Sequence, residues 1–126
     1  TFFTDVKKGN FHLYSLAWVG IQDPDIYHQI FHSASVPPNG DNRGHYSNPQ
    51  VDRLLEKGRA AMDASERKQI YGEVQRILAD DLPCIPLWWW KNVVVQTSSL
   101  QGFVPYPDGD FIAMKKVSFR SQLPPQ

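Results

Sequence analysis

Cysteine is almost absent from this chain of 126 residues. Cys84 stands alone, so no internal disulfide can close and no multi-cysteine zinc site can be assembled. An excess of charge of one sign is missing too. Thirteen Lys and Arg balance 13 Asp and Glu, which leaves no field to draw nucleic acid, anionic lipid or a polyacidic substrate. No apolar run reaches the roughly 18 residues that cross a bilayer. The densest stretch, Ile85 to Trp90, is short and contains Pro86. The glycines never fall into a GxGxxG or GxxxxGK pattern, so the loops that cradle phosphates are not there. Nor is there an HExxH motif, a nucleophile beside its base, or a convincing carboxylate pair. These gaps argue against an enzyme and against a bound cofactor. The chain also opens on Thr1-Phe2-Phe3, without Met or a signal peptide, and is expected to be a piece of a longer product.

What is present suits a folded unit. An apolar fraction of 41% can build a core, so residues 1–119 are expected to fold as one part of a domain. Residues 120–126, ending Leu123-Pro124-Pro125-Gln126, are expected to form a flexible tail. Phe11 to Trp18 is aromatic-rich and follows the turn signal Lys8-Gly9-Asn10, which predicts a strand. Asp23-Pro24 predicts the start of a short helix running to about Phe31. From Ser33 to Ser47 the residues Pro37-Pro38-Asn39-Gly40 and further Asn, Asp and Gly punctuate a long loop. Ser47-Asn48-Pro49 repeats the cap-and-proline logic, and Val51, Leu54, Leu55, Gly58 and Met62 then share a helical face. Asp63 to Glu66 starts a second helix with its own stripe of Ile70, Val74, Ile77 and Leu78, stopped at Leu82-Pro83. Strands are expected at Ile85 to Trp90, Val93 to Thr97 and Phe111 to Phe119. The fold class is α+β (mixed α/β), with a helical hairpin packed on a small sheet.

Few residues invite chemistry. Cys84, between Pro83 and Ile85 at a strand start, reads as a packed thiol. His28 and His32 lie four apart on a helix, and His45 could add a third nitrogen, but solvated or packed histidines outweigh this metal reading. Trp88-Trp89-Trp90 would alternate faces on a strand and cannot form one flat platform, so packing is the better reading.

Three pieces in order carry a resemblance. They are Trp18-Val19-Gly20 followed by Asp23-Pro24-Asp25; Tyr46-Ser47-Asn48-Pro49-Gln50-Val51-Asp52-Arg53-Leu54-Leu55; and Glu66-Arg67-Lys68-Gln69-Ile70-Tyr71 running into Gln75 to Leu87. Together they resemble the carboxy-terminal region of the family 5 extracellular solute-binding proteins, the dipeptide and oligopeptide group. The resemblance implies part of one lobe of a type II periplasmic-binding-protein fold, in which two lobes close over a solute. It implies a peptide or peptide-like ligand, an ABC permease in the inner membrane as partner, and a periplasmic or otherwise extracytoplasmic site, with a lipid anchor on the full-length protein as an option. Two other classes stay open: the ligand-sensing module of a transcription regulator, and a metal- or haem-binding relative. An isolated lobe fragment is expected to self-associate.

By the same resemblance Trp18, Val19, Gly20 and Ile21 lie in the ligand cleft, with Asp23 beside them; Arg43 and Tyr46 sit near the end of the long loop, and Arg43 could bind a carboxylate bidentately if that loop reaches the cleft. The resemblance places an acidic residue shortly after Trp-x-Gly to pair with the ligand's amino terminus. Here that position holds Ile21, and the segment to Asp23-Pro24 is one residue short. Either Asp23 has taken over the charge or the ligand offers no free amine. Capping competes with ligand contact at Asp23, core packing competes at Trp18, and a solvated loop side chain is the plainer reading of Arg43.

Overall fold

Asn48 and Asp63 explain why the central part of the chain is helical. The Asn48 side chain accepts the backbone N–H groups of Gln50 (2.9 Å) and Val51 (3.4 Å), and Pro49 sits where no N–H is needed. The helix that follows runs Pro49–Ala60. Asp63 accepts the N–H of Glu66 at 2.7 Å and starts a second helix, Ala64–Asp81, which ends on Leu82 in the left-handed region. Two shorter helices precede them, so in chain order the helices are α1 (Phe2–Lys8), α2 (Ile26–Phe31), α3 (Pro49–Ala60) and α4 (Ala64–Asp81). The computed structural model describes residues 1–88 and 91–120, which form two compact units.

The first unit holds Thr1–Leu16 and Asp23–Pro86. Its core is the hairpin of α3 and α4 closed by α2: Phe31, Val51, Leu55, Tyr71, Val74 and Leu78 are buried together, with Tyr27, Ile30, Tyr46, Leu54 and Ile77 packed against them. Each such aliphatic or aromatic side chain removed from water stabilises the fold by about 1.5–3 kcal/mol. The two stripes expected from the spacing are therefore the ones that meet. Met62 is the exception: it lies beyond the end of α3 and is 99% exposed. Tyr71 joins the core because Gly58 faces it without a side chain; a Cβ at residue 58 would come within 2.9 Å of the Tyr71 ring.

Where the sequence pointed to a strand at Phe11 to Trp18, no ladder forms. Lys8-Gly9-Asn10 is a turn, but it closes α1: Gly9 at φ 76° sends its N–H to Val6, and Asn10 returns to Asp5. α2 starts at Ile26, later than expected, because Asp23 accepts the N–H of Asp25 across a tight turn and Asp25 occupies the capping position.

The second unit comprises residues 17–22 together with the described residues from Leu87 to Arg120. It contains β1 (Leu100–Gln101) and β2 (Ser118–Phe119), antiparallel, with Leu100 opposite Phe119 and Gln101 opposite Ser118. The backbone N–H of Arg120 extends this pairing to the Ser99 carbonyl at 2.7 Å. Gly102 at φ 82° lets β1 leave beside Lys116, whose carbonyl oxygen leaves no room for a Cβ. The strand expected over Phe111 to Phe119 is shortened to β2. Asp110 accepts the Ile112 N–H at 3.0 Å, and a 3₁₀ helix takes Ile112–Lys116 instead. Val93 to Thr97 and Ile85 to Trp88 carry no ladder, since strand-forming residues need a neighbouring strand and none is paired to them among the described residues. Trp89, Trp90 and the 121–126 part of the expected tail lie outside the described residues. The class is thus mixed helix and sheet, but the surface that closes the hairpin core is α2 with Tyr46, and among the described residues the sheet consists of two short strands of the second unit.

Candidate functional site

The residues singled out in the sequence divide between the units. Trp18, Val19, Gly20 and Ile21 belong to the second; Asp23, Arg43 and Tyr46 belong to the first. Gly20 takes φ 69°, a left-handed turn that bends the segment between Val19 and Ile21. Val19 and Ile21 are exposed and Trp18 is partly so, at 39%. At the end of the segment Gln22 donates to the Asp108 carboxylate at 2.9 Å. Asp108 belongs to a loop in which Asn92 donates to the carbonyls of Tyr106 and Pro107.

Asp23 is occupied. Arg67 of α4 grips its carboxylate with two nitrogens, each 3.0 Å from an oxygen. Arg59 of α3 grips Asp25 in the same way, at 2.6 and 2.9 Å. The start of α2 is thus clamped by one arginine from each helix of the hairpin, a bidentate geometry that suits guanidinium and carboxylate. The hydrogen bond from Arg67, helped by the Asp25 N–H, holds the Asp23 carboxyl below the usual carboxylate range. The bond from Arg59 does the same at Asp25. Arg67 also donates its Nε to the Gly58 carbonyl at 3.1 Å and lies 5.4 Å over the Tyr71 ring. Sequence reasoning gave Asp23 a cap and a candidate ligand contact; neither anticipated this pairing.

The loop after α2 is built on Asn42, one of the most buried side chains in the chain. Its amide donates to the carbonyls of His32 (3.1 Å) and Tyr46 (2.8 Å) and accepts the Tyr46 N–H (2.9 Å). Asp41 receives Gln29 and Arg43, so Arg43 is a buried side chain bonded within its own loop, at 2.6 Å, and not a solvated one. The Tyr46 hydroxyl donates to Asp81 at the end of α4, and Asn48 donates to the same carboxylate at 2.8 Å. Burial and the neighbouring Asp81 push the Tyr46 phenol up to about 12, so it remains a neutral donor at physiological pH. Arg43 and Tyr46 are therefore each committed to a carboxylate of the fold.

His28 and His32 do share a helical face, but their rings stack, with centroids 4.3 Å apart and planes 24° from parallel. Lone pairs in parallel planes do not converge on one ion, and His45 lies on the exposed turn beyond, at φ 52°. Among the described residues no group of three or more His, Cys, Asp or Glu side chains is placed to hold a metal. Cys84, expected to be packed, is exposed as a residue; partial burial of the thiol pushes its pKa up, away from a reactive thiolate.

No protein-family model matches the chain. Its curated relatives are dipeptide-, oligopeptide- and glutathione-binding proteins, of the family 5 solute-binding group that its motifs resemble. It is 29% identical over 102 residues to Di/tripeptide-binding protein 4 of Pseudomonas aeruginosa, an alignment covering 80% of this chain and 19% of that protein. It is 37% identical over 82 residues to the Glutathione-binding protein GsiB of Salmonella typhimurium, covering 65% of this chain and 16% of the relative. With the Oligopeptide-binding protein AppA of Bacillus subtilis the identity is 26% over 101 residues, 80% of this chain and 18% of the relative. The aligned part therefore spans less than a fifth of each of these relatives. Among the described residues no helix is long and apolar enough to cross a membrane.

Proposed function

We propose that the chain is part of one lobe of a type II solute-binding protein, the receptor component of an ABC importer. It would capture a peptide or peptide-like solute outside the cytoplasm and present it to a membrane permease. The observation that carries this reading is the similarity to peptide-binding proteins across 80% of the chain. No bond is made or broken in this role: the solute favours the closed form of two lobes, and closure is what the permease reads. A lipid anchor on the full-length protein fits the same location. In this reading Trp18, Val19, Gly20 and Ile21 form one wall of the pocket, while Asp23, Arg43 and Tyr46 stay bonded to Arg67, Asp41 and Asp81 within the first unit. Trp18 supplies apolar area and an indole donor. Because Asp23 is already neutralised by Arg67, the pairing supports a ligand with no free amine at this end.

The test is a thermal-shift series on the full-length protein that carries this chain, against dipeptides, longer peptides, amino-blocked peptides and nickel chelates. A peptide present at a hundred times its Kd stabilises by about 2.7 kcal/mol and raises the melting temperature accordingly. Blocked peptides should stabilise at least as well as free ones. No response to any peptide would refute the importer reading, whereas a strict need for a free amine would refute only the role given to Asp23. Trp18→Ala should weaken peptide binding tenfold or more, and an unchanged affinity would remove residues 18–21 from the site.

A further inference from the structure

We propose that Asp108 is a positioning residue for the segment of residues 18–21: through Gln22 it holds that segment in the bent course in which it serves as a pocket wall. The purpose of this tether rests on the peptide-binding reading above, while the tether itself can be read without a ligand. Gln22 and Asp108 lie 86 residues apart in the sequence and in the same unit of the structure. The Gln22 amide donates to Asp108 Oδ2 at 2.9 Å. The segment ahead of Gln22 carries no ladder, Val19 and Ile21 are exposed, and a Cβ at Gly20 would meet nothing within 4 Å. Gly20 bends the segment at φ 69°, but glycine reaches negative φ about as readily, and that change would swing Trp18 relative to Ile21. A fixed point at Gln22, just beyond the turn, selects the bend.

Asp108 is suited to this task because its own loop is fixed from several sides. Asn92 donates its side-chain amide to the carbonyls of Tyr106 (2.8 Å) and Pro107 (3.1 Å). The Gly109 N–H closes a turn onto the Tyr106 carbonyl at 3.0 Å, with Gly109 at φ 80°. Asp108 Oδ1 accepts the Asp110 N–H at 3.1 Å, and Asp110 in turn accepts the Ile112 N–H at 3.0 Å, where the 3₁₀ helix begins. One oxygen of Asp108 is thus spent on its loop and the other faces Gln22. Asp108 is partly buried and Gln22 is exposed, so the carboxylate is the fixed partner and the amide the one that is held. Such a bond adds little to folding, but it sets the fraction of molecules whose segment is in its binding form. Its loss should lower that fraction roughly twofold to tenfold and raise the apparent Kd for a peptide by the same factor.

The experiment takes the full-length protein that carries this chain through Asp108→Ala, Gln22→Glu, and Gln22→Glu combined with Asp108→Asn. Gln22→Glu sets a second carboxylate against the first. Adding Asp108→Asn keeps an oxygen for the Asp110 N–H and turns the bond round, the asparagine amide now donating to the new carboxylate. Two quantities are read: the rate of chymotryptic cleavage after Trp18 without ligand, by mass spectrometry, and the Kd for the free and amino-blocked peptides of the thermal-shift series, by calorimetry. Each single variant should raise both roughly twofold to tenfold, and the reversed pair should bring both back to within about twofold of wild type. The ligand-free melting temperature should stay within about 2 °C throughout. Unchanged cleavage in both single variants, or no recovery in the reversed pair, would overturn the tether in a protein that still binds peptide. Affinity lost only in step with a lowered melting temperature would overturn the positioning role, since a merely stabilising contact behaves that way. Cleavage that answers to the variants in a protein that binds none of the peptides would overturn the importer reading and uphold the tether.

Discussion

Replacing Asn42 by Ala tests whether the loop after α2 is held by one side chain. The amide makes three hydrogen bonds to backbone groups, two given and one received, in a position almost closed to water. At about 1 kcal/mol net for each bond, and more where a buried group is left without a partner, the loss should be about 3 kcal/mol. For a chain of this size that is a fall of roughly 10 °C in melting temperature. Unfolding by urea followed by circular dichroism would measure it, with the slope of the transition checked for constancy. Asn42→Asp sharpens the reasoning. One oxygen can still accept the Tyr46 N–H, but the other must face the carbonyls of His32 and Tyr46 in place of an N–H donor. Burial and those carbonyls would raise the folded pKa of the new carboxyl above its unfolded value. Its folded state is then favoured below about 3.9 and loses that advantage as pH rises through the folded value. Relative to wild type, Asn42→Asp should therefore recover stability on acidification while Asn42→Ala does not. A loss below 1 kcal/mol in Asn42→Ala, or an Asn42→Asp deficit that does not shrink with acid, would refute the idea that Asn42 organises the loop.

A double-mutant cycle on Asp23→Asn and Arg67→Gln should give a small coupling that shrinks with salt, because Asp23 is more than half exposed. Since Asp23 is depressed, this coupling is present above its unfolded value of about 3.9 and disappears as pH falls through the folded one; a coupling that does not weaken on acidification would contradict the pairing. Gly58→Ala should destabilise by about 1–2 kcal/mol, since the clash with Tyr71 outweighs the gain in helix propensity, and a stabilised variant in thermal melts would show that Tyr71 moves aside freely. Met62→Ser should be neutral within about 0.5 kcal/mol, because the side chain touches almost nothing. Val93, Val95, Phe111 and Phe119 leave enough apolar surface uncovered that the isolated chain should gain mass with concentration in light scattering; a constant monomer mass would count against self-association.

The helices of the hairpin could be read from the sequence because their causes are local. A cap such as Asn48 or Asp63 and a stripe such as Val51, Leu55, Ile70 and Val74 are visible within a few turns. Strands have no such autonomy. Val93 to Thr97 has the composition of a strand, but a ladder needs another strand at its side. The same limit applies to the candidate site. Trp18 to Ile21 could be singled out as a segment, whereas the state of Asp23 depends on Arg67, 44 residues away, and that of Asp25 on Arg59, 34 away. The commitment of Arg43 and Tyr46 to Asp41 and Asp81 likewise follows from packing, which no spacing rule displays.

The two arginine clamps make the connection between α3 and α4 a measure of length. Arg59 lies in the last turn of α3 and Arg67 in the first turns of α4, and both must arrive at the start of α2 together. Residues 61–63 set the interval between them. Their identities, Asp63 apart, can vary with little effect, but one residue added or removed would rotate one guanidinium off its carboxylate while the other stayed in register. The short turn thus encodes a distance rather than a chemistry, and it would tolerate substitution far better than insertion.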